Sequence, residues 1–174
     1  MFRRSGMCVK RCQFFKFGQN CSLPKLSIMI YHFKYPVSES ELETFKFVKD
    51  HTNLDPIDDI GNFMIGAIFD YIPKINTMQN FGSVFQIKEM QCIGALLYSI
   101  NDDICIIHKL GVLGDLKQQG IGSALVKYII EYCYQKVNIV QLYTIDELNI
   151  IRFYEKTGFI MSNAETTKMI LRIP

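Results

Sequence analysis

Apolar residues recur along this chain with two periods, and the changes between them mark its elements. Leu26 to Tyr35 alternates as a strand. Ser38-Glu39-Ser40-Glu41 then has the spacing of a capping box, which predicts a helix with Leu42, Phe45 and Val48 on one face. Asp55-Pro56 predicts a second helix start, followed by Ile57, Ile60, Met64, Ala67, Ile68 and Tyr71 at helical spacing. Pro73 is expected to stop that helix, and residues 74–82 to form a loop. Val84 to Lys88 and Cys92 to Ile100 read as strands joined by a tight turn. Asn101-Asp102-Asp103 marks another turn before a strand from Ile104 to Leu113. Gly120 to Tyr134 has helical spacing, with Ile121, Ala124, Leu125, Tyr128, Ile129 and Cys133 on its apolar face. A strand from Val137 to Ile145 follows. Asp146 is expected to cap a helix from Glu147 to Lys156, which Gly158 ends. Phe159 to Met161 and Lys168 to Ile173 complete the set. The order β-α-α-β-β-β-α-β-α-β-β predicts an α/β (α+β) fold, a mixed sheet with helices on its faces.

Composition changes little in this picture. At 174 residues, 49% hydrophobic and 21% charged, the chain suits one globular domain. Its longest nearly continuous apolar stretch, Phe63 to Phe69, is far too short to span a bilayer. Charge is more informative. Residues 1–38 hold seven of the 19 Lys and Arg and none of the 17 Asp and Glu, so the net +2 hides a body of net −5. A mildly acidic body argues against a nucleic-acid surface. Residues 1–28 read as a flexible basic extension preceding a domain over residues 29–174. A transit peptide, or an upstream start with Met29 as the working one, are the alternatives. Cys8, Cys12 and Cys21, followed by His32, have poor spacing for zinc, so no metal is expected. Cys92, Cys105 and Cys133 read as buried small hydrophobes, which suits reduced thiols and a cytoplasmic setting.

Candidate chemistry begins at Val112-Leu113-Gly114-Asp115-Leu116-Lys117-Gln118-Gln119-Gly120-Ile121-Gly122-Ser123-Ala124-Leu125. A glycine-rich turn at a helix start leaves backbone N–H groups unpaired at the positive end of the helix dipole, a site for phosphate. Gly120-Ile121-Gly122 lacks the third glycine of a dinucleotide fingerprint, and Ser123 stands where a P-loop needs Lys. Without a ligand the turn is simply a helix start. A second segment, Phe153-Tyr154-Glu155-Lys156-Thr157-Gly158-Phe159, closes the last long helix.

Together the two segments resemble the GNAT superfamily of acetyl-CoA-dependent N-acetyltransferases. The first matches V-x-P-x-[YF]-[RQ]-x-x-G-[IVL]-G-x-x-L at Val112, Gly120, Ile121, Gly122 and Leu125. The second matches a helix ending in F/L-Y-E-K-x-G-F. The resemblance spans about residues 28–174. It implies a mostly antiparallel central sheet of six to seven strands with about four helices, and acetyl-CoA as co-substrate without a metal. It further implies that the N–H groups of Gln118, Gln119, Gly120, Ile121, Gly122 and Ser123 cradle the coenzyme A pyrophosphate, with Lys117 and Asn149 nearby. The preceding strand should splay near Val112-Leu113, so that its N–H groups hold the pantetheine and the thioester carbonyl. Lys117 for Arg or Gln, and Gly114 for Pro, depart from the pattern, so the backbone contact carries over better than the Lys117 side chain.

Tyr154 occupies the position of the family's general acid, and packing as a core aromatic is its alternative role. His108 interrupts an apolar strand on a face shared with Leu110 and Val112, and it is the candidate base. A satisfied core histidine, or a water chain ending on Asp146 or Glu147, are the alternatives. The tail also resembles glucosamine-6-phosphate N-acetyltransferases, which serve UDP-N-acetylglucosamine synthesis. Asn149, Phe153-Tyr154, Gly158-Phe159, Ser162, and Met169 with Arg172 carry that likeness. His108-Lys109 departs from that branch's acidic pair. The branch implies Arg172, Lys109 or Lys168 as partners of a sugar phosphate, and a homodimer through the last strands. Acetylation of a protein N-terminus or lysine is the alternative function. A non-catalytic acyl-CoA-binding module is a third, disfavoured because His108 and Tyr154 keep the needed chemistry.

Overall fold

Burial explains the sheet from its middle outward. Residues 92–99 are buried without interruption, as expected of a strand covered on both faces. The computed structural model of the chain describes residues 28–50, 60–162 and 167–174. It comprises β1 (Met29–Lys34), α1 (Glu39–Asp50), α2 (Ile60–Ile75), β2 (Phe81–Lys88), β3 (Gln91–Asn101) and β4 (Ile104–Val112). A 3₁₀ turn at Gly114–Leu116 leads to α3 (Ile121–Cys133), β5 (Ile139–Tyr143), α4 (Leu148–Glu155), β6 (Ile160–Met161) and β7 (Lys168–Arg172). The sheet has seven strands in the order β1-β2-β3-β4-β5-β7-β6. Its pairs are antiparallel except β4 with β5, whose parallel crossover is α3. Element order and sheet type are those the periodicity predicts.

Each sheet face carries a core. On one, Leu125 and Ile129 of α3 pack with Leu96, Ile107, Val140, Leu142, Phe159 and Met169. Both α3 residues are fully buried, a contribution of about 2 kcal/mol each. On the other face, Phe45 and Val48 of α1 and Ile65, Ile68 and Ile72 of α2 cover Phe85 and Leu97. Ser38 opens α1 as expected: its N–H (3.1 Å) and its hydroxyl (2.6 Å) both donate to the Glu41 carboxylate. Cys92, Cys105 and Cys133 are free and buried.

Four expectations change. Pro73 does not stop α2, which runs on to Ile75. Proline there forfeits one hydrogen bond in the last turn, and burial of Ile72 and Ile75 outweighs that loss. The buried stripe of α2 is Ile65, Ile68, Phe69, Ile72 and Ile75, which leaves Tyr71 37% exposed. Asp146 does not cap α4; Glu147 precedes the first turn in an extended conformation, without a side-chain cap. β5 is also shorter than its apolar run, covering only Ile139–Tyr143, and its pairing with β4 ends at Leu142. The extension through residue 27 and the Asp55-Pro56 helix start lie outside the described residues.

Candidate active site

β4 and β5 pair only over Ile104–Ile107 and Ile139–Leu142. Beyond that point β4 continues alongside β3 as far as Val112, while β5 stays with β7, so the two strands part. The gap is walled by Ile107 and Leu110 of β4, Leu142 and Tyr143 of β5, Met64 of α2, and Ile150 and Tyr154 of α4. The splay thus begins at His108, ahead of Val112.

The ladder decides which backbone groups face the gap. The Leu113 N–H donates to the Ile93 carbonyl at 3.0 Å. Antiparallel pairs alternate, so in the next pairs, Gly94 with Val112 and Leu96 with Leu110, the polar groups point away from each other. The N–H groups of Val112 and Leu110 therefore face the gap. That of Leu113 is already bonded, which corrects its assignment as a backbone donor to pantetheine.

A β-bulge interrupts β4 here. Leu97 pairs with Lys109 but Tyr98 pairs with Ile107, leaving His108 as the extra residue. The bulge resets the alternation and corrects the face assigned to His108. Leu110 and Val112 pack toward the α3 core. His108 turns to the other face, where its ring stacks on Phe81 at 5.5 Å and 18° and its Nε2 meets the Ser99 hydroxyl at 2.8 Å. More than a third of its surface stays open, yet desolvation lowers its pKa, which favours the neutral ring. Lys109 lies beside it, with Nζ 5.4 Å from the Tyr71 ring centre.

The turn before α3 is shaped by two left-handed residues, Gln118 (φ 65°) and Gly120 (φ 84°). The Lys117 and Gln119 N–H groups close onto the carbonyls of Gly114 (3.1 Å) and Leu116 (3.4 Å). The first intrahelical bond is Ala124 N–H to Gly120 at 2.9 Å. The N–H groups of Gln118, Gly120, Ile121, Gly122 and Ser123 make no bond to another backbone group among the described residues, and four of them crown the positive helix end. Gly122 matters for its size rather than its conformation. A Cβ there would lie 3.3 Å from Phe153 Cζ and 3.4 Å from Val112 Cγ2, so the bare glycine lets α3 approach α4 and the open edge of β4. Open-edge N–H groups followed by this turn suit an extended amide chain ending in a diphosphate. The Lys117 side chain is exposed and adds only charge.

Tyr154 is 9% exposed, held between Phe153 and Phe159. Behind it the chain reverses through Phe159 N–H to the Tyr154 carbonyl (3.1 Å) and Gly158 N–H to the Glu155 carbonyl (2.9 Å), with Gly158 at φ 98°. Burial pushes its phenol up to about 12, so it holds its proton near neutrality. Asp146, Glu147 and Asn149 are exposed at the start of α4. Lys168 sits opposite Tyr143 at the gap end of β7, 5.8 Å from that ring centre. Arg172 instead pairs with Ile139 at the far end of the strand, about 13 Å of chain away, so the fold does not bring it to the gap. Leu110, Ser99 and Phe81 were not legible as site residues, because only the bulge and the register bring them there. No cluster of metal ligands occurs among the described residues, and no described helix is long and apolar enough to cross a membrane.

The sequence profile of the Acetyltransferase (GNAT) family matches residues 49–159. No characterised protein matches the sequence at a significant level. Among solved structures, PaiA N-acetyltransferase of Thermoplasma acidophilum in complex with coenzyme A is 16% identical with a TM-score of 0.55, covering 84% of this chain and 99% of that one. The ribosomal-protein-S18-alanine N-acetyltransferase of Escherichia coli is 14% identical with a TM-score of 0.52, covering 83% and 94%. A streptothricin acetyltransferase from Bacillus anthracis in complex with acetyl coenzyme A is 16% identical with a TM-score of 0.52, covering 59% and 68%. At these identities the likeness is one of fold.

Proposed function

The chain belongs to the acetyltransferase (GNAT) family, and from that premise we propose that it moves the acetyl group of acetyl-CoA directly onto a primary amine held in the gap between β4 and β5. The observation that carries this reading is the parting of the two strands at Ile107 and Leu142, which puts open backbone N–H groups, Tyr154 and His108 around one cleft. The Leu110 and Val112 N–H groups hold the pantetheine amides and the thioester oxygen as charge develops there. The N–H groups at the start of α3 hold the pyrophosphate. His108, neutral near pH 7, removes a proton from the ammonium so that the nitrogen can attack. Tyr154 gives its proton to the departing thiolate, and the second proton shed by the nitrogen as it becomes an amide reloads the phenol through solvent.

For the acceptor, the tail motif favours glucosamine 6-phosphate. Lys109 and Lys168 stand where they can meet a phosphate, without help from Arg172. A second reading, acetylation of a protein N-terminus or lysine, is favoured by the apolar rim. Tyr143, Ile145 and Leu148 are each more than half exposed beside the cleft. Thiol release from acetyl-CoA separates the two. Release with glucosamine 6-phosphate above the amine-free rate supports the first, and release only with peptides transfers the assignment to the second. Absence of release with any amine overturns both.

A further inference from the structure

Three adjacent strands converge on His108. Phe81 of β2 pairs with Ser99 of β3, and Ser99 lies against the bulge of β4. The Phe81 ring fixes the imidazole plane, and the Ser99 hydroxyl, in a residue only 1% exposed, meets Nε2 at 2.8 Å. Nε2 is thereby committed to the protein interior, and Nδ1 is the ring nitrogen left to exchange protons. We propose that Ser99 is a positioning residue for acetyl transfer: its oxygen accepts the Nε2–H of His108, which leaves the Nδ1 lone pair to take the proton of the acceptor ammonium. This deepens the proposed function and rests on the assignment of His108 as base.

The chemistry supports that direction of the bond. Once Nδ1 gains a proton, both ring nitrogens are donors, and the Nε2–H of the imidazolium needs an acceptor. Ser99 Oγ is the group in reach, and a charge-assisted hydrogen bond is stronger than a neutral one. The other groups around the ring do not substitute for it. Lys109 on β4 is a cation held over Tyr71 of α2 and has no lone pair to accept with, and Tyr143 of β5 and Tyr154 of α4 wall the cleft without a hydrogen bond to the ring among the described residues. Among the described residues, no carboxylate lines the cleft. The proton taken at Nδ1 therefore passes on to solvent between turnovers, with Ser99 holding the ring in register throughout.

Two measurements decide this. In 15N-histidine-labelled protein, two-bond 15N–1H correlation reads the tautomer directly, without any substrate, and His108→Ala identifies the signal among the three histidines. The expected neutral form carries its proton on Nε2. A proton on Nδ1 would mean that Ser99 donates, that His108 offers the cleft only a donor, and that the proposal is wrong. In the second measurement, Ser99→Ala should give a mixture of tautomers, shift the acidic limb of kcat/KM to lower pH, and reduce kcat about 10-fold with little change in KM for acetyl-CoA. Ser99→Thr, which keeps the hydroxyl, should restore the tautomer and the limb. An unchanged tautomer in Ser99→Ala overturns the proposal. Because the tautomer needs no turnover, failure of the acetyltransferase assay refutes the functional reading separately.

Discussion

The two glycines of the α3 turn should respond differently when each is replaced by alanine. At Gly120, φ is 84° and an added Cβ meets nothing within 4 Å, so the whole cost is backbone strain. A left-handed L-residue costs about 1–2 kcal/mol. In a chain of 174 residues that corresponds to a fall in Tm of about 2–8 °C. Asparagine tolerates this conformation better, so Gly120→Asn should recover part of the loss. Gly122 is helical, and its Cβ would press on Phe153 at 3.3 Å and meet Val112 at an ordinary 3.4 Å. The half-buried Phe153 ring can yield, and alanine improves helix propensity by up to about 1 kcal/mol, so Gly122→Ala should stay within about 1 kcal/mol of the parent. Val112, at ordinary contact distance, stays in place, and its N–H keeps facing the gap. Gly122→Ala should therefore bind coenzyme A within about 3-fold of the parent, since no hydrogen bond of the β4 edge is lost. Thermal unfolding by circular dichroism and titration calorimetry with coenzyme A measure both effects. Gly120→Ala melting within about 1 °C of the parent, or Gly120→Asn no better than Gly120→Ala, would refute the strain argument. A loss of coenzyme A affinity of about 10-fold or more in Gly122→Ala would refute this account of the packing.

Tyr154→Phe should lower kcat by about 100-fold or more while coenzyme A binding, measured by calorimetry, is retained. With the phenol pushed up to about 12, its loss of a proton should not limit kcat below about pH 10. His32 lies far from the cleft, with Nε2 at 2.7 Å from Tyr98 Oη and Nδ1 at 3.2 Å from Tyr128 Oη. Its pKa falls from 6.5 to about 4, chiefly through burial and secondarily through Lys34 and Lys136. The unfolded chain therefore binds the extra proton between those values. The linked stability is complete above pH 6.5 and is lost as pH falls toward 4, a change of about 3 kcal/mol. Urea unfolding from about pH 7.5 to about 4.5 should show this slope, and His32→Gln should flatten it.

The parts of this protein legible in its sequence are those set by neighbours in the chain. The continuous apolar run of β3, the Ser38–Glu41 cap, the left-handed Gly120 and the reversal at Gly158 each follow from local composition, local sterics and local hydrogen bonds. Where locality failed, tertiary burial overrode it. Pro73 sits inside α2 because Ile75 beyond it is fully buried. Asp146, a good cap by type, is bypassed because the chain leaving β5 enters α4 at Glu147.

Local pattern thus reaches as far as the order of elements, the phosphate-suited turn at Gln118–Ser123 and the placing of Tyr154 near a helix end. It does not reach the point where β4 leaves β5, the N–H groups of β4 that stay free, the face His108 occupies, or the distance of Arg172 from the gap; the assembled sheet sets all four. Register is the cause. A one-residue bulge turns a side chain to the opposite face and exchanges bonded for open N–H groups, and it arises from pairing between strands, which no local periodicity records.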